Sequence, residues 1–375
     1  MYLFPYTNFH DINLDWIIRE LEHVISDSTV FHSVKFYGAV GDGITDDTEA
    51  IRTCFENENY VIFPEGSYLI TDRIVIDSDN KFVIGFPNAT IIEDNGWFAF
   101  TEANNFKIAN LKFEYANNKP TTNIVFWKCL NVEICNCEFS DGYNFNVQCS
   151  TCGRVKIHDC IFNGTEYHTA ISLSIDVGFE TSVYGTGGWT IIRDCEISNG
   201  GLDGIIANNY NVIIDKCIIK SCGTRAKAAG IYSNTKSNLT ITNCRISGCS
   251  GNGIDIVGCA QLVIDGCWCG ANECAGIFLG SAVNATIQNC HCNNNGSDPI
   301  DAYQDSGIVI SSYNSNNSHN VRVGNCFAQN NANYGYRFLN ADGVMINALF
   351  AYGNTTGDRE ILTSVSKADY TSISV

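Results

Sequence analysis

The sequence predicts an all-β chain: a right-handed parallel β-helix of three strands per coil, with a short N-terminal helix and a helical lid. Three observations predict it. The first is a phrase, apolar-x-Ile-x-Asn/Asp-Cys-x-Ile/Phe, repeated about nine times. It runs from Val132 to Phe139, from Val155 to Phe162 and from Thr190 to Ile197. It returns around Cys217, Cys244, Cys267, Cys290 and Cys326, and fades at Val344–Leu349. From Cys137 onward the aligned cysteines are 23, 35, 22, 27, 23, 23 and 36 residues apart. A unit of 22 or 23 residues with inserts in fixed places marks a solenoid. The second observation is that each unit holds three apolar-x-apolar pieces, as in Leu239-Thr240-Ile241, Cys244-Arg245-Ile246 and Gly253-Ile254-Asp255-Ile256. Alternation with period two gives strands with one buried face, and pieces this short hold no useful helix. The third is that Asn, Gly, Ser and Asp, the turn residues, lie between the pieces. Successive coils then stack about 4.8 Å apart.

Taken in chain order, residues 11–25 place Leu14, Ile17, Ile18, Leu21, Val24 and Ile25 at helical spacing. That helix is short and marginal alone. It packs either on the adjacent domain or on another chain, as a trimer seam or attachment peg. Residues 34–51 follow with turn glycines and a helix capped by Thr45 or Asp46 that runs to about Phe55. Tyr60–Ile70 reads as strand, turn and strand. An open β-helix exposes a stacked core and unpaired strand edges, so this stretch serves as its lid. The coils then run to residue 354, and residues 355–375 lose the repeat as a cap or interface segment. A solenoid grows in one dimension, so 375 residues need no second core.

In the third piece of each unit, Ile205, Ile231, Ile254, Ile277 and Ile308 stack inward. Ile206, Tyr232, Asp255, Phe278 and Val309 then form an exposed outward ladder. The nineteen cysteines form no disulfide framework in this reading. Their number is odd, and eight share one strand position, so they line up inside as small hydrophobes. Free thiols in such number fit synthesis in a reducing compartment. Cys149-Ser150-Thr151-Cys152 has no second half for a zinc site, and no metal or other cofactor is expected. A net charge of −18 argues against nucleic acid and against an anionic membrane surface. The first residues lack a basic region and a long apolar core, so no signal peptide is expected. No run of residues is long enough to span a bilayer.

The run Gly38-Ala39-Val40-Gly41-Asp42-Gly43-Ile44-Thr45-Asp46-Asp47-Thr48-Glu49-Ala50-Ile51, followed by Phe63-Pro64-Glu65-Gly66-Ser67-Tyr68, resembles the start of pectate-lyase-like β-helix domains. Such domains occur in rhamnogalacturonase and epimerase relatives and in phage tailspikes. With the repeats, the resemblance covers residues 34 to about 354. The opening Phe4–Ile18 resembles the N-terminus of tail or neck-appendage proteins of phages that infect Gram-positive bacteria. Together they imply a virion protein, made in the host cytoplasm, that binds and degrades a host-surface polysaccharide or teichoic acid as a glycoside hydrolase or lyase. They also imply a homotrimer attached to other tail proteins through residues 1–30, with Asp42, Asp46 and Asp47 as lid residues. The alternatives are a receptor-binding appendage without catalysis and a bacterial carbohydrate-active enzyme. No catalytic residue transfers by motif. The N-T-D, G-H-G and R-I-K set of polygalacturonases is missing, as are the D-P-H-E of mannuronan epimerases and the calcium-binding acids of pectate lyases.

The site is expected in a groove along the third-strand face, flanked by the inserts. One insert, of about a dozen residues, spans Asp176 to Gly188 and brings Asp176, Glu180 and Trp189. Others bring Arg225 and Lys227, to neutralise a uronate or phosphate, and Asp305. Tyr232 and Phe278 offer flat apolar surfaces to sugar rings. The candidate carboxylates are Asp203, Asp255 and Glu166, with His168 beside them. Glycoside hydrolysis needs two carboxyl groups about 5 Å apart for retention or about 6.5–9.5 Å apart for inversion. Asp203 and Asp255, two coils apart and offset along the strand, exceed that range as a direct pair, whereas Glu166 or His168 with Asp203 falls on adjacent coils. The plainer role of each acid is to cap a strand end.

Overall fold

A computed structural model describes residues 31–116, 122–140, 144–164, 169–174, 189–234, 238–300, 304–313, 316–361 and 370–371. The helix expected over 11–25 lies outside the described residues, as do Glu166, His168, Asp176 and Glu180. The chain is a parallel β-helix. The first and second strands of the coils belong to a 26-stranded sheet, and the third strands form a 12-stranded sheet. Every strand pairs in parallel with its equivalent one coil away, as Leu239↔Leu262 and Ile241↔Ile264 do.

The repeated phrase explains the corner between the first and second strands. The residue before each aligned cysteine has a positive φ: 51° at Asn136, 53° at Asp159, 51° at Asp194, 52° at Lys216, 53° at Asn243, 65° at Gly266, 54° at Asn289 and 50° at Asn325. Asn and Asp tolerate this left-handed conformation because their short side chains hydrogen-bond locally. One such residue turns the chain without lengthening it, and the next side chain points into the interior. All nineteen cysteines are buried and free. In the stacked set each thiol donates to the carbonyl two residues earlier, as Cys160 Sγ does to His158 O at 3.2 Å. A second acceptor lies on the preceding coil, Ile134 O at 3.8 Å.

Other columns stack the same way. Phe113, Phe139 and Phe162 lie parallel with ring centroids 4.8 Å apart. The predicted inward row of Ile205, Ile231, Ile254, Ile277 and Ile308 is fully buried. Each such side chain contributes about 1.5–3 kcal/mol by leaving water. Toward the C-terminal coils, buried asparagines take over the second corner. Asn272 Nδ2 donates to Asn295 Oδ1 at 3.0 Å, Asn295 Nδ2 to Asn331 Oδ1 at 3.1 Å, and Asn331 Nδ2 to Asn354 Oδ1 at 2.9 Å. Beside this ladder stand Gly253, Gly276, Gly307 and Gly335. A Cβ on Gly253 would lie 2.6 Å from Gly276 O and 2.8 Å from Asn272 Nδ2.

The lid helix is Thr48–Asn57 and buries Ile51, Cys54 and Phe55. It starts slightly later than the sequence suggested. Asp42 Oδ1 accepts from Ile44 N and Thr45 N and holds the chain in a turn there. Asp46 Oδ1 accepts from Thr48 N at 3.0 Å, and Asp47 bonds Val40 N and Gly41 N. These acids therefore do structural work in the lid. At the other end, strand Gly357–Ile361 continues the 12-stranded sheet by pairing with Tyr334–Phe338. Among the described residues no helix is long and apolar enough to cross a membrane.

Two predictions follow from this packing. Gly253→Ala forces a methyl group into main chain and ladder, and should cost about 1–3 kcal/mol by urea denaturation; an unchanged midpoint would contradict the close approach. Glu93 is fully buried. Burial raises its pKa well above the usual carboxylate range, against the opposing bond from Asn123 Nδ2. Folding therefore takes up a proton once pH exceeds the unfolded value near 4.5, so stability falls as pH rises above it. Glu93→Gln should raise Tm relative to the parent chain, with a gain that grows from pH 4 to pH 7. A gain independent of pH would refute it.

Candidate functional site

The outward row of the third-strand sheet follows from its register. Ser172 pairs with Ile206, Ile206 with Tyr232, Tyr232 with Asp255, Asp255 with Phe278, Phe278 with Val309, and Val309 with Arg337. The predicted row Ile206–Tyr232–Asp255–Phe278–Val309 is thus present. Its exposure is not as expected. Val309 is 0% and Phe278 only 7% exposed, and with Ala275 they form a small apolar cluster outside the main core. Tyr313, on an insert, folds over this part: a Cβ on Gly280 would meet Tyr313 Cβ at 3.1 Å and Phe278 Cε1 at 3.2 Å. The open part of the face is therefore the stretch around Ile206, Tyr232 and Asp255.

Three groups meet there. Asp203 is half-buried two residues before Ile205, and its Oδ1 accepts from Ala229 N, one coil on, at 2.6 Å. Burial pushes its carboxyl up to about 6, although the Ala229 N–H pulls the other way. Asp255 lies two coils on, and its Oδ2 accepts from Asn252 Nδ2 at 2.8 Å. Tyr232 stands between them, on the coil adjacent to Asp255. Burial raises its phenol pKa first, and the nearby Asp255 and Asp203 carboxylates add to the rise. The face thus holds a carboxyl that is part protonated near neutrality, a phenol and a second acid pinned by an amide.

The residue before each third-strand glycine forms a column of its own: Asp203, Ala229, Asn252, Ala275, Ser306 and Tyr334. Alternate members cap the next. Asn252 Oδ1 accepts from Ala275 N at 2.8 Å, as Asp203 does from Ala229 N, and Ser306 Oγ accepts from Tyr334 N at 3.3 Å. An asparagine or serine performs the capping without a buried charge. A half-buried acid at 203 exceeds what the cap requires.

The other expected residues are placed as follows. Asp305 accepts from Arg337 Nη1 at 3.1 Å, Asn333 Nδ2 at 2.7 Å and Ser306 Oγ at 3.0 Å, so its carboxylate is engaged within the fold. Lys227 pairs with Glu273 at 3.0 Å and with Asp298, and so clasps successive coils along one rim. Arg225 is exposed on the same rim. Trp189 is 49% exposed at the start of a first strand, beyond the opposite edge of the third-strand sheet.

Sequence reasoning missed Asn252 and Gln304, whose Oε1 accepts from Asn252 Nδ2 at 3.1 Å. The capping column before the glycines was the signal for Asn252. It also missed a stacked row on the outside of the second strands. Arg245 lies 4.5 Å over the Trp268 ring, His291 stacks on Phe327 at 4.7 Å, and Phe327 stacks on Phe350 at 4.7 Å. These residues occupy the position after the aligned cysteine in the repeated phrase, so the phrase itself carried that signal.

Comparison with known proteins agrees with the architecture. A family model described as rhamnogalacturonase A/epimerase, pectate lyase-like, matches residues 31–255, and one described as a right-handed β-helix region matches residues 177–355. Among solved structures, the chain is similar to the Dettilon tailspike protein, with a TM-score of 0.65, 17% identity, and coverage of 88% of this chain and 68% of that one. It is similar to the pre-mature bacteriophage phi29 gene product 12, with a TM-score of 0.58, 15% identity, and coverage of 96% and 58%. It is also similar to the A-module of the Azotobacter vinelandii mannuronan C-5 epimerase AlgE4, with a TM-score of 0.57, 14% identity, and coverage of 90% and 100%. At these identities the likeness is one of fold. A curated relative, the Penicillium expansum non-secreted LysM effector LysM19, is 40% identical over 68 residues, and the match spans 14% of this chain and 5% of that protein.

The capping column yields a stability test. Asn252→Ala frees Ala275 N and releases Asp255 and Gln304, and should cost about 1–3 kcal/mol. Asp203→Asn keeps the cap and should leave Tm nearly unchanged. A larger loss from Asp203→Asn than from Asn252→Ala would contradict the arrangement.

Proposed function

The chain belongs to the rhamnogalacturonase A/epimerase, pectate lyase-like family, and from that premise we propose that it is a carbohydrate-acting protein of a phage tail. In this proposal it binds and cleaves a host-surface polysaccharide or teichoic acid along the face around Ile206, Tyr232 and Asp255. Residues 1–30 attach it to the virion, residues 31–354 form the working β-helix, and residues 355–375 complete its end or meet a neighbouring subunit in a homotrimer.

One observation carries the proposal: Asp203 holds a half-buried carboxyl at about 6 where its counterpart, Asn252, shows that the fold needs only a neutral acceptor. A carboxyl tuned this way suits proton transfer near neutral pH. Asp203 gives its proton to the leaving glycosidic oxygen as the bond from that oxygen to the anomeric carbon breaks; water adds to that carbon and releases a proton to solvent, and Asp203 is reprotonated from solvent. Tyr232 gives a sugar ring a surface to rest on, and Asp255 accepts hydrogen bonds from its hydroxyls. The tailspike and epimerase neighbours support a carbohydrate partner, and the family match supports a polysaccharide backbone as the polymer acted upon.

A second reading, binding without cleavage, is favoured by the stacked row His291–Phe327–Phe350. Ring edges repeating at 4.7 Å on an outer face give a polymer a ridged apolar strip to lie along.

The test incubates the full chain with host cell-wall polysaccharide and measures release of reducing ends and of unsaturated uronate. Cleavage should fall at least 100-fold in Asp203→Asn without loss of polymer binding. In the parent chain it should decline as pH rises above about 6, because the acid must be protonated. Polymer binding with no fragments from the parent chain would leave only the second reading. Unchanged cleavage in Asp203→Asn would refute the role of that residue.

A further inference from the structure

On the first-strand face, away from the proposed cleft, Glu133, Cys135 and His158 bring a carboxylate oxygen, a thiol and an imidazole nitrogen within 4.8 Å of one another. Their placement follows from register. Glu133 and Cys135 are two residues apart on the strand Leu130–Cys135, so both point outward. Cys135 pairs with His158 on the next coil. The aligned thiols of the repeat point inward into one continuous core, but Cys135 stands outside that core, next to an imidazole and a carboxylate. It is still only 3% exposed, because neighbouring side chains cover it.

The imidazole is already oriented. Its Nδ1 faces Asp159 Oδ2 at 2.6 Å, and its Nε2 faces Glu133 Oε1 at 2.9 Å. A carboxylate on one ring nitrogen, with the other turned toward further donors, is how metal-binding histidines are held. Lys156 Nζ lies 2.9 Å from Glu133 Oε1, and Lys107 Nζ lies 3.8 Å from Oε2.

We propose that Glu133, Cys135 and His158 form a binding site for a zinc-like divalent cation, with Asp159 fixing the histidine. Sulfur and nitrogen donors select such ions over magnesium or calcium. Zinc holds thiolate at about 2.3 Å and imidazole or carboxylate at about 2.0–2.2 Å, so the longest donor separation must shorten by about 1 Å, within reach of a side-chain adjustment. On binding, the Cys135 thiol releases its proton to solvent, as does the His158 ring where it carries two, and the ion takes the freed lone pairs. Lys156 moves off Oε1, while Lys107 stays near Oε2 and balances the added thiolate. The fourth position is left to water. The ion would staple two coils from outside, independently of the glycan-acting face.

The experiment titrates zinc into the reduced full chain against a chromophoric chelator and repeats the titration with cobalt, whose thiolate complexes absorb in the near ultraviolet. One equivalent should bind per chain, with a cobalt–thiolate band. Cys135→Ser should abolish the band, His158→Gln should weaken zinc binding at least tenfold, and Asp159→Asn should weaken it about tenfold through orientation alone. Thermal unfolding of each variant in chelator checks that the fold persists. The absence of a bound equivalent, or binding that survives either Cys135→Ser or His158→Gln, would overturn the site.

Discussion

The structure depends on one constraint: a left-handed residue that turns the chain between the first and second strands in a single step. That residue is Asn or Asp at Asn136, Asp159, Asp194, Asn243, Asn289 and Asn325, Gly at Gly266 and Lys at Lys216. For most side chains the left-handed conformation costs about 1–2 kcal/mol, and Asn, Asp and Gly, which bear it most easily, hold seven of these eight corners. Because the corner has fixed length, the residue after it always faces inward. A small apolar side chain fits that confined position, and cysteine fills it while giving its weak S–H donor to a carbonyl two residues back. In the fading copy Ala348 takes the corner at a φ of 49° and Leu349 follows in place of cysteine, as Leu111 follows Asn110 in an early coil.

Register propagates the rest. Once one coil is set, parallel pairing places each side chain above its equivalent, and like stacks on like. Phenylalanine meets phenylalanine, isoleucine meets isoleucine, and asparagine amides hydrogen-bond along the axis. At the second corner, Cys222 and Cys249 give way to Asn272, Asn295, Asn331 and Asn354. The glycines beside them let the coils approach closely, since any Cβ there would strike the carbonyl of the next coil. This regular scaffold fixes an outward row whose members can vary without disturbing the core. A half-buried acid, a phenol and an outward aromatic row are tolerated for that reason.

Much of this was legible in the sequence. The phrase gave the corner, the inward thiols and the three strands, and the glycine column located the third strand and its outward row. What was not legible came from contacts between residues far apart in the chain. Phe278 and Val309 alternate as outward residues should, but they are buried in a small cluster with Ala275, and Tyr313 of an insert lies beside Gly280 and Phe278. Asp305 looked available in a polar insert, yet Arg337, 32 residues later, holds its carboxylate. Lys227 meets Asp298 across 71 residues. Alternation reports the side of a strand but not what covers it. The same limit hid Cys135: it precedes the corner instead of following it, so it faces the outer surface and meets His158 from the next coil.

The central claim is the inward turn of the recurrent thiols, and counting reactive sulphurs tests it most directly. A small aqueous thiol reagent applied to the native chain under reducing, metal-free conditions should modify few or none of the nineteen cysteines, and all nineteen once the chain is unfolded. Reaction of most of them in the native state, or their recovery as bridged pairs by mass spectrometry, would contradict the corner, the stacked core and the sites built upon them.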